Sequence, residues 1–167
     1  MKPARIVIGF LFLSTSAYAA ESLYTRTSGP ECRDSGSKEE FNAWQCPGPG
    51  GYSAGFSDEG NLVAFKIFRT GQRDDEPVLI WRGADDVFGD KLEWRLSGGK
   101  PIAAILRAWR VDTDQDGHDH VTQELLVVSL RGQRPCKVGA VSVHEPHANR
   151  RARALADSIA PCQADGK

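Results

Sequence analysis

Between Phe41 and Ala148 this chain has no stretch long enough, with apolar residues at helical spacing, to make a helix. Its apolar runs are short and broken by turn residues. A β-rich body follows. Candidate strands cover 43–46, 52–57, 62–69, 78–81, 91–96, 102–111, 121–130 and 137–144. Pro47-Gly48-Pro49-Gly50-Gly51, Asp58-Glu59-Gly60-Asn61, Ser97-Gly98-Gly99-Lys100 and Arg131-Gly132-Gln133 supply the backbone angles that the connecting turns need. In strand 91–96, Leu92, Trp94 and Leu96 share one face while Glu93 and Arg95 share the other, so the strand is expected to be half wet. Its partner, 102–111, is apolar on both faces apart from Arg107 and Arg110, which predicts a central position. After Pro146 the period changes. Ala148, Ala152, Leu155, Ala156 and Ile159 fall on one helical face, with Arg150, Arg151, Arg153 and Asp157 mostly off it. A helix of about three turns is predicted, with Pro146 in its first turn and Pro161 at its end, capping one face of the sheet.

The first 20 residues have the parts of an export signal: Lys2 and Arg5, an apolar run over 6–13, and small residues in Ala17-Tyr18-Ala19-Ala20. Cleavage is expected after Ala19 or Ala20. The run is too short to span a bilayer, which takes roughly 20 residues, and no cysteine stands at the cleavage point to accept a lipid. A soluble periplasmic or secreted protein with no membrane span in its mature part is therefore expected. Residues 21–40 are polar and read as a loosely structured N-terminal segment, with 41–167 as a single domain. At 40% hydrophobic and 26% charged, the 167-residue chain is neither disordered nor fibrous. Losing Lys2 and Arg5 takes 21 basic against 22 acidic residues to 19 against 22, a formal charge of -3. That balance gives no electrostatic ground for a nucleic-acid partner.

Four cysteines, Cys32, Cys46, Cys136 and Cys162, lie in the mature part. An even number in an oxidising compartment implies two disulfides among three possible connectivities. The expected pairing is Cys32 with Cys46 and Cys136 with Cys162, each closing a loop of about 14 to 26 residues that stabilises by roughly 3 kcal/mol. No CxxC spacing points to zinc or redox chemistry.

The order of several segments resembles a family of small exported bacterial proteins of unknown function. They are Trp44-Gln45-Cys46-Pro47-Gly48, Gly50-Gly51-Tyr52, Leu92-Glu93-Trp94-Arg95-Leu96, Pro101-Ile102-Ala103-Ala104-Ile105-Leu106-Arg107, Leu126-Val127-Val128, Cys136-Lys137-Val138-Gly139, and Ala148-Asn149 through Ala152-Arg153-Ala154-Leu155-Ala156-Asp157 to Cys162. The resemblance implies a shared fold, export and cysteine pattern, and no substrate. Such relatives usually have a plain polar loop before the Leu-Val-Val strand. Here that loop is acidic and carries histidines.

That loop is the strongest chemical candidate. Asp112-Thr113-Asp114-Gln115-Asp116-Gly117 has the D-x-D-x-D-G form of a calcium loop, in which alternate carboxylates converge around a glycine bend. The signature then fails: position twelve is Gln123, Glu124 comes one residue late, and the flanks read as strands. A second candidate uses the histidines. If 121–130 pairs with 137–144 around Gly132-Gln133, opposed positions sum to about 266, which brings His118 and His120 to the same sheet end as His144 and His147. With Asp119, these imidazoles form a ligand set suited to zinc, copper or nickel. His147, Arg150 and Arg151 at the helix start also suit an anion.

Catalytic signatures are lacking: there is no G-x-S-x-G, no H-E-x-x-H, and no glycine loop leading into a helix. His144 with Glu145 is one weak acid–base pair. The aromatics, Trp44, Tyr52, Phe56, Phe65, Phe68, Trp81, Trp94 and Trp109, read as core and sheet-face packing, where two exposed together would mark a binding face. The combined reading is an α+β domain: an antiparallel meander-like curved sheet, one C-terminal helix and two disulfides. Its expected role is non-enzymatic binding of a small ligand or protein partner. The alternative is a calcium- or zinc-binding protein using Asp112, Asp114, Asp116, His118, His120, His144 and His147.

Overall fold

The computed structural model describes residues 20–36, 42–60, 62–71, 77–83, 87–158 and 162. The export signal lies outside the described residues apart from Ala20, as do 37–41, Ile159 and Pro161.

A strand that is apolar on both faces must be covered twice. That requirement organises the molecule around β8 (Lys100–Thr113), the predicted central strand. It sits in the middle of an antiparallel sheet ordered β1 (Glu21–Arg26), β7 (Phe88–Ser97), β8, β9 (Asp119–Ser129), β10 (Cys136–Ser142). Ala104, Leu106 and Ala108 face a second five-stranded sheet: β2 (Arg33–Asp34), β3 (Asn42–Pro47), β4 (Tyr52–Glu59), β5 (Leu62–Arg69) and β6 (Leu79–Arg82). Ala103 and Ile105 face the helix α1 (Ala148–Ser158) on the outside. The fold is thus mainly β, in three layers, rather than the expected α+β domain on one curved sheet. The meander survives within each sheet. What separates the sheets is that β6 pairs with β5 and not with β7.

Between the sheets, Trp44, Phe56, Phe65, Trp81 and Phe88 pack with ring centroids 4.9 to 6.0 Å apart, in stacked, tilted and edge-on pairs. The β7–β8 hairpin turns on Gly98 and Gly99, both at positive φ (55° and 75°), as a two-residue turn of matching twist requires. The β9–β10 register agrees with the predicted sum of about 266 from Gly139↔Val127 to Ser142↔Glu124. A bulge between Lys137 and Gly139 shifts the pairs nearer the turn by one.

Two local expectations fail. Residues Glu21–Arg26, read as part of a loose segment, form an edge strand paired with β7 over six residues. The face of β7 carrying Glu93 and Arg95 is not wet: these residues are only 7% and 6% exposed. α1 and β1 cover it. Arg95 donates from Nε and Nη2 to the two carboxylate oxygens of Asp157 at 2.8 and 2.7 Å, from Nη2 to the Ala20 carbonyl at 2.8 Å, and from Nη1 to the Ser22 hydroxyl. Arg153 donates to both oxygens of Glu93 at 2.6 and 3.2 Å and to the Tyr24 hydroxyl at 2.8 Å. Ser22 Oγ closes the circuit on Glu93 at 2.5 Å.

The disulfides have the expected connectivity, Cys32–Cys46 and Cys136–Cys162. The second ties the chain beyond α1 to the start of β10, where the Cys162 N–H donates to the Arg131 carbonyl at 2.7 Å.

Arg95→Ala removes a buried cation, leaving half-buried Asp157 unpaired and buried Glu93 with Arg153 alone, and is expected to cost about 3 kcal/mol, read as a lower urea midpoint at unchanged slope. Arg82→Ala removes a cation from Asp119, both side chains being about half exposed, and is expected to cost less than about 1 kcal/mol. Equal midpoints for the two variants would contradict the weight given to the buried circuit.

Candidate functional site

The acidic loop is a five-residue connection between β8 and β9, beyond the last pair, Thr113↔Asp119. Asp114 builds it. Its Oδ1 accepts the backbone N–H groups of Asp116 and His118, both at 2.9 Å, while Oδ2 lies 2.8 Å from His120 Nε2 and 3.5 Å from His118 Nδ1. The Asp114 carbonyl accepts the Gly117 N–H at 3.2 Å. These bonds, with His120 first and the His118 N–H next, hold the Asp114 carboxyl below its ordinary pKa. Asp119 is likewise held low, first by the Thr113 hydroxyl at 2.6 Å and then by Arg82 at 3.3 Å. Asp112 pairs with Arg110 at 3.4 Å.

Among the described residues, Asp114, Asp116 and His118 are the three that bring potential metal-ligand atoms within 4.8 Å of one another. Asp112 and His120 are not in that trio, and neither are His144 and His147. The latter pair stands in the turn after β10, at the sheet end the register predicted, both exposed. His147 is the residue before the helix, at φ 59°, with its carbonyl accepting the Arg151 N–H at 3.0 Å. Glu145, the proposed partner of His144, instead accepts the Ser142 N–H at 3.3 Å and pairs with Arg151 at 3.0 Å. Arg151 is thereby drawn away from the anion set of His147, Arg150 and Arg151.

The sequence reading missed a groove of about 620 Å³ on the outer face of the first sheet, beside the first half of α1. Ile105 and Leu125 are buried in its floor; Tyr24, Trp109, Lys91, Arg107, Asn149 and Arg153 line it with Glu93. Three of the four tryptophans direct the indole N–H to an internal acceptor: Trp44 to the Thr27 carbonyl at 2.6 Å, Trp81 to the Trp109 carbonyl at 2.9 Å, and Trp94 to Thr25 Oγ1 at 2.8 Å. Trp109 is the exception: its indole N–H has no acceptor among the described residues. Neither does the half-buried guanidinium of Arg107. The Arg107 stem lies over Gly89, where a side-chain Cβ would come within 3.0 Å of the Arg107 Cβ.

A sequence signal for this site existed. Arg107 and Trp109 are two apart on a strand otherwise apolar but for Arg110 on the opposite face, so they share one face and interrupt it together. A second hollow, of about 490 Å³, lies beside Trp44 and Asp58. Its lining is acidic, with Asp34 as well, and includes Asn42, which borders residues outside the described set.

No protein-family model, curated protein or solved structure matches this chain.

A carboxyl with a lowered folded pKa adds stability above its unfolded value, and that contribution is lost as pH falls through the folded value. Carbon-detected NMR of the Asp114 carboxyl is therefore expected to show a midpoint below the usual aspartate value of about 3.9. His120→Ala should move that midpoint upward. A wild-type midpoint at or above the usual value would contradict the bonding described for the loop.

Proposed function

We propose that this chain is an exported, non-enzymatic binding module, periplasmic or secreted, whose ligand lies in the groove beside α1. The observation that carries the reading is Trp109 with Arg107, an aromatic edge and a cation without partners among the described residues, in a concave, partly apolar hollow. Surface clefts of a few hundred Å³ with apolar walls and a few convergent polar groups are where small ligands bind. The two disulfides are compatible with an extracellular location. Among the described residues no helix is long and apolar enough to cross a membrane. Glu93, the buried carboxylate at the groove, is committed to Arg153 and Ser22, so it is poorly placed for acid–base work. The family of exported bacterial proteins suggested by the segment order belongs to the same proposal.

A second reading places a calcium or zinc ion on Asp114, Asp116 and His118, favoured by the proximity of their ligand atoms. Asp114 must then share its carboxylate between the ion and two backbone N–H groups of the turn.

Four tryptophans give four indole signals in an NMR fragment screen, and fragments are expected to move the Trp109 signal together with the Asn149 side-chain amide. Hits that leave both still would sink the groove reading. Thermal melts with calcium, zinc or EDTA address the ion, since a site of useful affinity raises the midpoint by several degrees. Export is tested by expressing the chain with its leader in a bacterial host. The periplasmic product is expected to begin at Ala20, whose carbonyl Arg95 holds; cytosolic protein of full mass would refute export.

A further inference from the structure

We infer that the groove beside α1 binds a small molecule carrying one carboxylate on a flat apolar body. The inference rests on the groove being the ligand site and adds the chemistry of what enters it.

The argument is a census of donors and acceptors. Among the described residues Arg107, with its planar fork of N–H groups, Lys91, the Asn149 amide and the Trp109 indole are all donors without an acceptor. Tyr24 already accepts from Arg153, which leaves its O–H proton free to be donated. On the acceptor side stand Asp90 and Glu93. Glu93 takes two bonds from Arg153 at 2.6 and 3.2 Å and one from Ser22 at 2.5 Å, and faces Arg95 at 3.7 Å, so its charge is already met by two protein cations. Three cations, Lys91, Arg107 and Arg153, line the groove against those two carboxylates. A surplus of donors and of positive charge calls for an acceptor-rich anion.

The shape of the charge narrows the class. Arg107 is the half-buried cation with its fork unused, and a fork of that geometry matches a carboxylate bidentately. Lys91 is exposed at the rim, where its charge is screened by water. One strong anchor suits one carboxylate better than a compact dianion. Beside the anchor, Ile105 and Leu125 form an apolar floor, and Trp109 and Tyr24 supply aromatic surface, which suits a flat hydrocarbon body. Gly89 matters because its missing side chain lets the Arg107 stem lie against the sheet and keeps the guanidinium in the hollow.

Calorimetry and NMR on the mature protein at low salt, with 2-naphthoate, 2-naphthalenemethanol, 2-naphthylmethylammonium and inorganic phosphate, separate the possibilities. Naphthoate is expected to bind about tenfold or more tighter than the alcohol, as fits a charge-assisted bond, and to move the Trp109 indole signal, with the ammonium weakest of the three naphthyl probes. Arg107→Gln should remove the advantage of the acid over the alcohol while leaving alcohol binding and the melting temperature near wild type. Arg107→Lys should restore part of it, and Gly89→Ala should reduce it by displacing the guanidinium. Alcohol binding as tight as the acid, with the Trp109 signal moving in both, would overturn the carboxylate and leave the groove standing. Phosphate binding as tightly as naphthoate would overturn the flat body. If no probe moves Trp109 or Asn149, both the groove and this inference fall.

Discussion

Two opposite charges on one face of a buried strand set the position of the helix on the outside of the first sheet. Glu93 and Arg95 are two residues apart on β7, a spacing of about 6.6 Å along a strand. Arg153 and Asp157 are four apart on α1, a spacing of about 6 Å along a helix. The near match lets Arg153 sit on Glu93 while Asp157 sits on Arg95, with helix and strand running the same way. Sliding the helix by one turn would set Arg153 against Arg95. Like charges in a desolvated layer repel strongly, so this circuit fixes a register that the small apolar contacts of Ala152 and Ala156 would leave loose.

The same circuit decides what is left uncovered. With α1 held over Ala103, Ile105, Leu125 and Val127, it does not reach across the part of β8 that bears Arg107 and Trp109. The carboxylate at the helix side of the hollow is already neutralised, so Lys91 and Arg107 outnumber Asp90, the carboxylate that remains available there. Helix placement and groove chemistry thus have one cause. The acidic loop beyond the end of β8 is a different kind of object: Asp114 is consumed in closing a hairpin, and Asp119 and Asp112 in pairing with Arg82 and Arg110.

Much of the fold was legible because local chemistry encodes it. Strand 62–69, the central place of β8, the helix and its apolar face, the cysteine pairs and the β9–β10 register all follow from periodicity, turn residues and spacing. What was hidden depends on partners distant in sequence. Glu21–Arg26 has no apolar stripe of its own; it is a strand because β7 offers it an edge and because Trp94 finds the Thr25 hydroxyl. The division into two sheets could not be read from alternation, which is identical in one curved sheet and in two stacked ones. Glu93 and Arg95 looked solvent-facing since charge normally marks a wet face, and only the residues four apart on a helix 60 positions later reverse that. The histidine idea was half legible: the register brought both pairs to one sheet end, but the chain leaves the sheet after Ser142, and no ligand group among the described residues joins them.

The six residues of β1 have nothing local to hold them. Their pairing partner is complete only when Leu96 has been made, and the charge circuit that covers them needs Asp157. Long-range closures of this kind are slow to form. β1 and α1 therefore become secure together, and neither keeps its place once the other has let go.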